Sequence, residues 1–386
     1  MSVVASLGFR AAGVASGIKP DGRDLAVVVA DRPAAAAGVF AQNQAAAAPV
    51  LVSRSHLLID GTASAVVINS GCANAGTGTA GHADAQAMTA AVAESIGVSS
   101  DGVLVCSTGT IGPRLPMDHV LGGIAQALAG VSNDESAGTA AADAIRTTDS
   151  VTKEATFTGE GWTVGGMAKG SGMVRPNMAT MLACITTDAA VEGETLSEAL
   201  VEAVDRSFNS LNIDGCESTN DSVIVLASGA SNVAPDPSAF AAGLTAVCQD
   251  LALQMARDAE GATRVVTIDI TGAATETEAR ALGRLVTDSA LVRSSFYGGD
   301  VNWGRVLGAL GTAPAPIDID DVVISYEGVT VFAEGAQATF DEPSLLESCE
   351  TGDFALGVVV GDGQGTAHIV TTDLTPEYVI FNGERS

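Results

Sequence analysis

The segment GGMAKGSGMVRPNMATMLACITTDA (165–189) constrains this chain more than any other. Four glycines and Pro176 precede the continuous apolar run MLACIT. A flexible loop therefore enters a buried strand directly, which requires a core at the loop's edge. Thr180 stands at that junction behind the small Ala179. A threonine leading such a strand places its hydroxyl beside a crevice.

The rest of the chain supplies the layers for that core. Short β-branched runs bounded by Gly, Asn or Asp read as strands at LAVVVAD, PVLVSR, SAVVINS and VLVCS. ADAQAMTAAVAESIG (83–97) and PMDHVLGGIAQALAG (116–130) read as helices closed by Gly, the second opened by Pro. Leu196, Leu200, Val204 and Leu211 fall on one helical face, as do Phe240, Leu244, Val247, Leu251 and Met255 behind a Ser238 cap. The alternation in VVISYEGVTVF and in FALGVVV-GDGQG-TAHIV predicts two antiparallel hairpins. The expected fold class is α+β, sheets flanked by helices in a layered sandwich, with ample apolar material in 386 residues.

Charge and composition remove several functions. Asp plus Glu outnumber Lys plus Arg by 46 to 18, and the net charge of −28 repels phosphate backbones, so nucleic acid is not an expected partner. No run reaches the ~18 to 20 uncharged apolar residues of a membrane helix. The start, MSVVASLGFRAAG, does not read as a secretory signal, which points to the cytoplasm. Cys72, Cys106, Cys184, Cys216, Cys248 and Cys349 form no C-x-x-C pair and read as buried free thiols, with no metal site. A carboxylate substrate would need a local cation in so acidic a protein.

Thr180 has a chemical option that fits its place. If the bond before it breaks, its own α-amine, which ordinarily titrates near ~7.7 to 8.0, can serve as base to its hydroxyl near neutral pH. The hydroxyl can make that break by attacking the Ala179 carbonyl, provided glycines let the loop bend. Residue types alone describe a Gly-rich surface loop before an ordinary strand more readily. Competing motifs fail on spacing: Lys169 precedes Gly170, which rules out a Walker A loop, GSGMVR breaks G-x-G-x-x-G, and no Gly-x-Ser-x-Gly elbow occurs. A second loop, VLVCSTGTIGPRLPMD (103–118), offers hydroxyls and approachable amides suited to an oxyanion hole, or to a plain strand-to-helix connection. A third, NSGCANAGTG (69–78), reads as turn chemistry.

Taken together, these segments resemble the ornithine acetyltransferase (glutamate N-acetyltransferase) family, whose members mature by cleavage before a threonine in K-G-x-G-M-x-x-P-x-x-A-T-M-L. Lys169 to Leu182 match it, and RTTDSVTKEA (146–155), LNIDGCESTNDSVIVLASG (211–229), ARDAEGATR (256–264) and FYGGDVNWGRVLGALG (296–311) look like family segments in the family's order. The resemblance implies an N-terminal-nucleophile-like fold and division at Ala179/Thr180 into chains 1–179 and 180–386, assembled as an α2β2 heterotetramer. Thr180 would be the nucleophile, and Thr108 and Gly109 would hold the acetyl oxygen as it becomes an oxyanion. Thr147, Lys169, Thr180, Glu260, Asn382 and Ser386 would bind substrate, with Thr148 adjacent to the first. Lys169 suits a carboxylate and Glu260 an ammonium.

The implied reaction moves acetyl from N-acetylornithine to glutamate in arginine biosynthesis, without metal or cofactor, and leaves acetyl-CoA open as a second donor. Asp221 and Asp300 read as structural, and Asn220, Trp303 and Arg305 as packing and subunit contacts. The tail departs from the family, with only Gly-Glu-Arg-Ser after Asn382, and LVRSS (291–295) replaces a Lys-Thr-Ala form. A self-cleaving hydrolase and a non-catalytic acidic binding protein remain as alternatives.

Overall fold

The computed structural model describes residues 2–175, 181–350 and 352–384. They form two compact units, Met1–Asn209 with Cys216–Met255, and Ser210–Gly215 with Ala256–Ser386. The first contains β1 (Phe9–Val14), β2 (Leu25–Phe40), α1 (Ala48–Asp60), β3 (Thr62–Asn69), α2 (Gly78–Ile96) and β4 (Val103–Ser107). It continues through α3 (Met117–Ala129), α4 (Glu135–Ala144), β5 (Lys153–Thr158), β6 (Thr163–Lys169), β7 (Leu182–Thr187) and α5 (Gly193–Asp205). The chain then lends the short β8 (Leu211–Asn212) to the second unit and returns for β9 (Ser222–Ala227) and α6 (Pro237–Arg257).

The first unit is one sheet in the order β4-β3-β2-β9-β7-β6-β5, with β1 also on β2. The long β2 makes this possible. Its first half pairs with β1 and β3 and its second with β9, across a register shift between Val29 and Ala34. The exposed Asp31-Arg32-Pro33 occupies the shift, where a proline costs no ladder bond. Alternate residues feed opposite cores. Leu25, Val27 and Val29 pack with Met88 and Val92 of α2 and Val120 and Ile124 of α3, while Ala26 and Val28 pack with Ala141 and Ala142 of α4.

The second unit holds β10 (Val265–Ala273), α7 (Glu276–Asp288), α8 (Ala290–Tyr297), α9 (Trp303–Leu310), β11 (Val323–Tyr326), β12 (Val329–Ala333) and β13 (Ala336–Gln337). It ends with α10 (Glu342–Glu350), β14 (Phe354–Val359), β15 (Gly365–Thr372) and α11 (Pro376–Glu384). Its sheet runs β13-β12-β11-β14-β10-β15-β8. The α+β expectation holds for both units, as do the strands at VLVCS and SAVVINS and the helices ending at Gly97 and Gly130.

Several local expectations are corrected. PVLVSR is helical, the first turns of α1, with Pro49 in its opening turn and Gly61 closing it at φ 68°. A four-residue apolar run fits either period, and here Val50 and Val52 are buried while Leu51 is exposed. VVISYEGVTVF is the hairpin of β11 and β12, but β14 and β15 do not pair: β10 lies between them, parallel to β14 and antiparallel to β15. Their connection crosses the end of β10, where a Cβ on Gly272 would sit 2.1 Å from the Gly361 oxygen and one on Gly363 2.1 Å from that of Ala273. Only glycines allow so close a crossing.

Leu211 lies in β8 rather than on the α5 face. The α6 cap is Asp236, whose Oδ1 accepts from the Ser238 and Ala239 amides, and Ser238 is already inside the helix. By length and composition alone α6 is long and apolar enough to cross a membrane, although Asp250 within it keeps it from being an uncharged apolar run. Its buried Phe240, Leu244, Val247, Leu251 and Met255 are those of a core helix. Cys216 is exposed, unlike the other five cysteines.

Candidate functional site

The predicted loop 165–180 begins as strand. GGMAK belongs to β6, and its antiparallel pairing with β7 sets Lys169 opposite Leu182. On the other side β7 runs parallel to β9, setting Leu182 opposite Ser222. Three strands thus bring Lys169, Leu182 and Ser222 into one row, two residues after Thr180 in sequence. Ala179, Thr180 and Ser386 lie outside the described residues.

The second predicted loop leaves the carboxyl end of β4, beside the end of β3, where Asn69 and Ser107 are register partners in a parallel pair. The carboxyl ends of parallel strands are where open sheets place ligands. Asn69 organises this corner. Its Oδ1 accepts from Ser107 Oγ at 2.6 Å, its Nδ2 donates to the Cys72 carbonyl at 2.9 Å, and its own carbonyl accepts from the Thr108 amide at 3.0 Å. Gly109 follows at φ 128°, and a Cβ there would lie 2.3 Å from the Gly71 carbonyl carbon. Gly71 of the NSGCANAGTG loop is thus pressed against Gly109 of the second loop.

Two donors here are uncommitted. Thr108 is 5% exposed, yet among the described residues its hydroxyl has no hydrogen-bond partner, and the Gly109 N–H has no acceptor. A hydroxyl next to an amide, neither of them committed within the described residues, can receive a negatively charged oxygen. Asn220, expected to pack or contact another subunit, connects this loop to the strands. Its Nδ2 donates to the carbonyls of Ala73 at 2.6 Å and Ser107 at 2.9 Å. The next residue, Asp221, takes the Met181 N–H on Oδ1 at 2.8 Å. The route from the donor pair to Met181 is therefore continuous.

Sequence reasoning missed the hub beneath Thr147 and Lys169. Asp149 accepts from the Thr147 amide on Oδ2 at 3.0 Å, and from the Gly170 amide at 2.6 Å and Lys153 Nζ at 2.8 Å on Oδ1. It thereby holds Thr147 against the residue after Lys169, while Thr148 Oγ1 meets Ser171 Oγ at 2.8 Å. Asp149 and Lys153 side chains are 0% exposed. Burial alone pushes the Asp149 carboxyl up, but Lys169 and Lys153 overcome it and hold the group below the usual carboxylate range. Lys169, 2% exposed, also faces Asp221, which is driven the other way. Burial raises Asp221 well above the usual range against the opposing pull of the Met181 N–H and Lys169.

In the second unit, Glu260 and Asn382 are brought together, with Asn382 Nδ2 donating to Glu260 Oε2 at 3.0 Å and to the Tyr378 carbonyl at 3.0 Å. Glu260 lies in the turn beyond α6, not at its polar end. Gly261 there has φ 68°, and a Cβ on it would be 2.4 Å from the Tyr378 amide, so turn and α11 are in contact. Trp303 packs internally, stacked on Phe332 at 5.0 Å, and Arg305 donates to the Leu291 carbonyl at 2.8 Å. Arg293 of LVRSS is buried and donates to the carbonyls of Thr372 and Asp373.

An α+β unit with a hydroxyl and a glycine amide, both uncommitted among the described residues, at the end of parallel strands has the makings of an acyl-transfer site. The ArgJ family model matches residues 10–386, and the chain belongs to that family. It is 46% identical over 388 residues to the arginine biosynthesis bifunctional protein ArgJ of Thermobifida fusca, covering all of both chains. It is also 46% identical over 393 residues to the protein of that name from Mycobacterium tuberculosis, covering all of this chain and 96% of the other. Among solved structures it is similar to ornithine acetyltransferase complexed with ornithine from Mycobacterium tuberculosis, at 49% identity and a TM-score of 0.44 over 45% of this chain and 93% of that one.

Proposed function

We propose that this chain is a glutamate N-acetyltransferase of arginine biosynthesis that cuts itself between Ala179 and Thr180 and uses Thr180 as its nucleophile. The observation that carries the reading is the uncommitted pair at Thr108 and Gly109, tied through Asn220 and Asp221 to Met181. Family membership supports the same conclusion. Thr180 Oγ1 attacks the acetyl carbonyl of N-acetylornithine, the Thr108 hydroxyl and Gly109 amide receive the oxyanion, and ornithine leaves with the proton. The amine of glutamate then attacks the acetyl-threonine.

In this proposal Lys169 and Thr147 bind the substrate's polar groups, and Glu260 and Asn382 receive the ornithine ammonium; Ser386 is assigned to the same end. No metal or cofactor takes part, and acetyl-CoA loads the same threonine as a second donor. The products 1–179 and 180–386 stay together because β7 is paired on both sides, with β6 from one and β9 from the other. We place the assembled α2β2 enzyme in the cytoplasm. The test is to feed N-acetylornithine with and without glutamate. N-acetylglutamate formed only with glutamate supports transfer, whereas acetate released at equal rates in both identifies a hydrolase. Thr180→Ala that still transfers acetyl contradicts the assignment.

A further inference from the structure

Asp24 is 0% exposed and gathers the turn ahead of β2 around its carboxylate. Oδ1 accepts from the Ser16 amide and hydroxyl, both at 2.7 Å, and Oδ2 from the amides of Gly17 at 3.0 Å, Ile18 at 2.7 Å and Lys19 at 3.0 Å. The Asp24 carbonyl takes the Ser70 N–H at 2.8 Å, so this turn and the NSGCANAGTG loop are fixed to each other. Lys19 leaves the turn across Gly71, where a Cβ would lie 2.6 Å from the lysine Cγ. The same Gly71 lies against Gly109. At its far end Lys19 Nζ donates to the Arg146 carbonyl at 3.0 Å, one residue before Thr147. Lys19 thus runs from beside the proposed oxyanion donor to beside a proposed substrate-binding residue.

The charge of Lys19 is not answered there. Among the described residues the Arg146 carbonyl is the only hydrogen-bond partner of Nζ, a neutral one. The carboxylates that bear on it are Asp24, Asp143 and Asp149, and each is held by other donors. Asp24 is held by its turn, Asp143 by Arg23 at 2.9 Å and Arg146 at 3.0 Å, and Asp149 by Lys153 and the amides of Thr147 and Gly170. Burial pushes the half-buried Lys19 ammonium down, against the pull of those carboxylates. An ammonium carries three donors, so Nζ retains donors for a ligand. Lys169, by contrast, is 2% exposed and faces Asp149 and Asp221.

We propose that Lys19 receives the α-carboxylate that N-acetylornithine and glutamate share. The inference rests on the reading above, that the chain moves acetyl between these two amino acids. A carboxylate approaching a protein of net charge −28 is repelled over most of the surface and needs a cation held in place. Lys19 is held at both ends, its stem on Gly71 and its head on the Arg146 carbonyl, so little side-chain freedom remains to be lost on binding. The ligand replaces water on the ammonium with a charged acceptor, which makes the stronger kind of hydrogen bond.

The test compares ornithine with 1,4-diaminobutane, which is ornithine without its carboxyl group, by calorimetric titration. Transfer by the wild type is assayed first. A wild type that makes no N-acetylglutamate fails the function reading itself, and only a wild type that does makes Lys19 the question. It is expected to bind ornithine about 10- to 10²-fold more tightly than the diamine. Lys19→Gln, which can still donate to Arg146, removes the preference. Ornithine weakens by about 10- to 10²-fold, while the diamine stays level or tightens because a nearby cation has gone. KM for N-acetylornithine and for glutamate rises by the same order, with plateau kcat within about threefold of wild type. Lys19→Arg, which keeps the charge, recovers most of the preference. Equal Kd for the two ligands in wild type overturns the proposal, as does a K19Q that weakens both alike or neither. Should K19Q not fold, Lys19→Met, which keeps the stem on Gly71, carries the same titrations. Loss of folding in both variants assigns Lys19 to the fold and overturns the proposal.

Discussion

Replacing Thr108 by Val separates the oxyanion role from any structural one. The change swaps a hydroxyl for a methyl of similar volume at a site 5% exposed. Had the hydroxyl been bonded within the fold, its loss would orphan a buried partner at about 1 to 3 kcal/mol. It has no partner among the described residues, so stability should move by less than about 1 kcal/mol, or no more than about 5 °C in Tm for a unit of this size. Activity should respond differently. Removing one preorganised oxyanion donor costs about 2.7 to 4 kcal/mol in the transition state, which at about 1.4 kcal/mol per decade is a loss of about 10² to 10³ in kcat. The assay is the initial rate of N-acetylglutamate formation at saturating N-acetylornithine and glutamate, with thermal unfolding in parallel. A kcat within about threefold of wild type refutes the donor role. A rate loss matched by a large fall in Tm reassigns the hydroxyl to the fold.

Gly109→Ala should be worse on both counts, since its Cβ would meet the Gly71 carbonyl carbon at 2.3 Å; overpacking of about 1 to 3 kcal/mol should accompany a loss of about 10² in kcat or more, visible in the same two assays. Glu260→Gln keeps the partner of Asn382 but removes the charge, so KM for N-acetylornithine should rise about tenfold while KM for glutamate, which has no side-chain ammonium, stays near wild type. The pH dependence of stability should report Asp221. Its folded pKa is raised, so the native state binds the proton more tightly, and stability declines as pH rises through the window above the unfolded carboxylate value near ~3.9. Urea unfolding at successive pH values should show Asp221→Asn gaining on wild type as pH increases, and parallel curves would contradict this.

Much of the scaffold was legible because its signals are local. VLVCS is bounded by turn residues and forms β4, and the helix before Gly97 ends on that glycine at φ 74°. Where two elements share one local pattern, the sequence was silent. PVLVSR fits a strand or a helical turn, and only its packing chose the helix. FALGVVV and TAHIV alternate as a hairpin would, but the strand between them comes from 265–273, a long-range choice that no nearby residue encodes.

The site divides in the same way. Thr108, Gly109, Thr147 and Lys169 are found by motif, and the fold gives the first pair uncommitted donors and the second pair a common anchor. That anchor, Asp149, escapes a reading of the sequence because Asp149 and Lys153 look there like ordinary solvated charges, whereas both are wholly buried. Asp221 reads as structural, and in the fold it accepts the Met181 N–H.

The most direct test of the central claim is denaturing mass spectrometry of the freshly expressed protein. Self-cleavage before Thr180 predicts two polypeptides, 1–179 and 180–386, in equal amount, with Thr180→Ala remaining a single chain of 38.5 kDa. A wild-type protein that stays whole at 38.5 kDa while forming N-acetylglutamate would contradict the account.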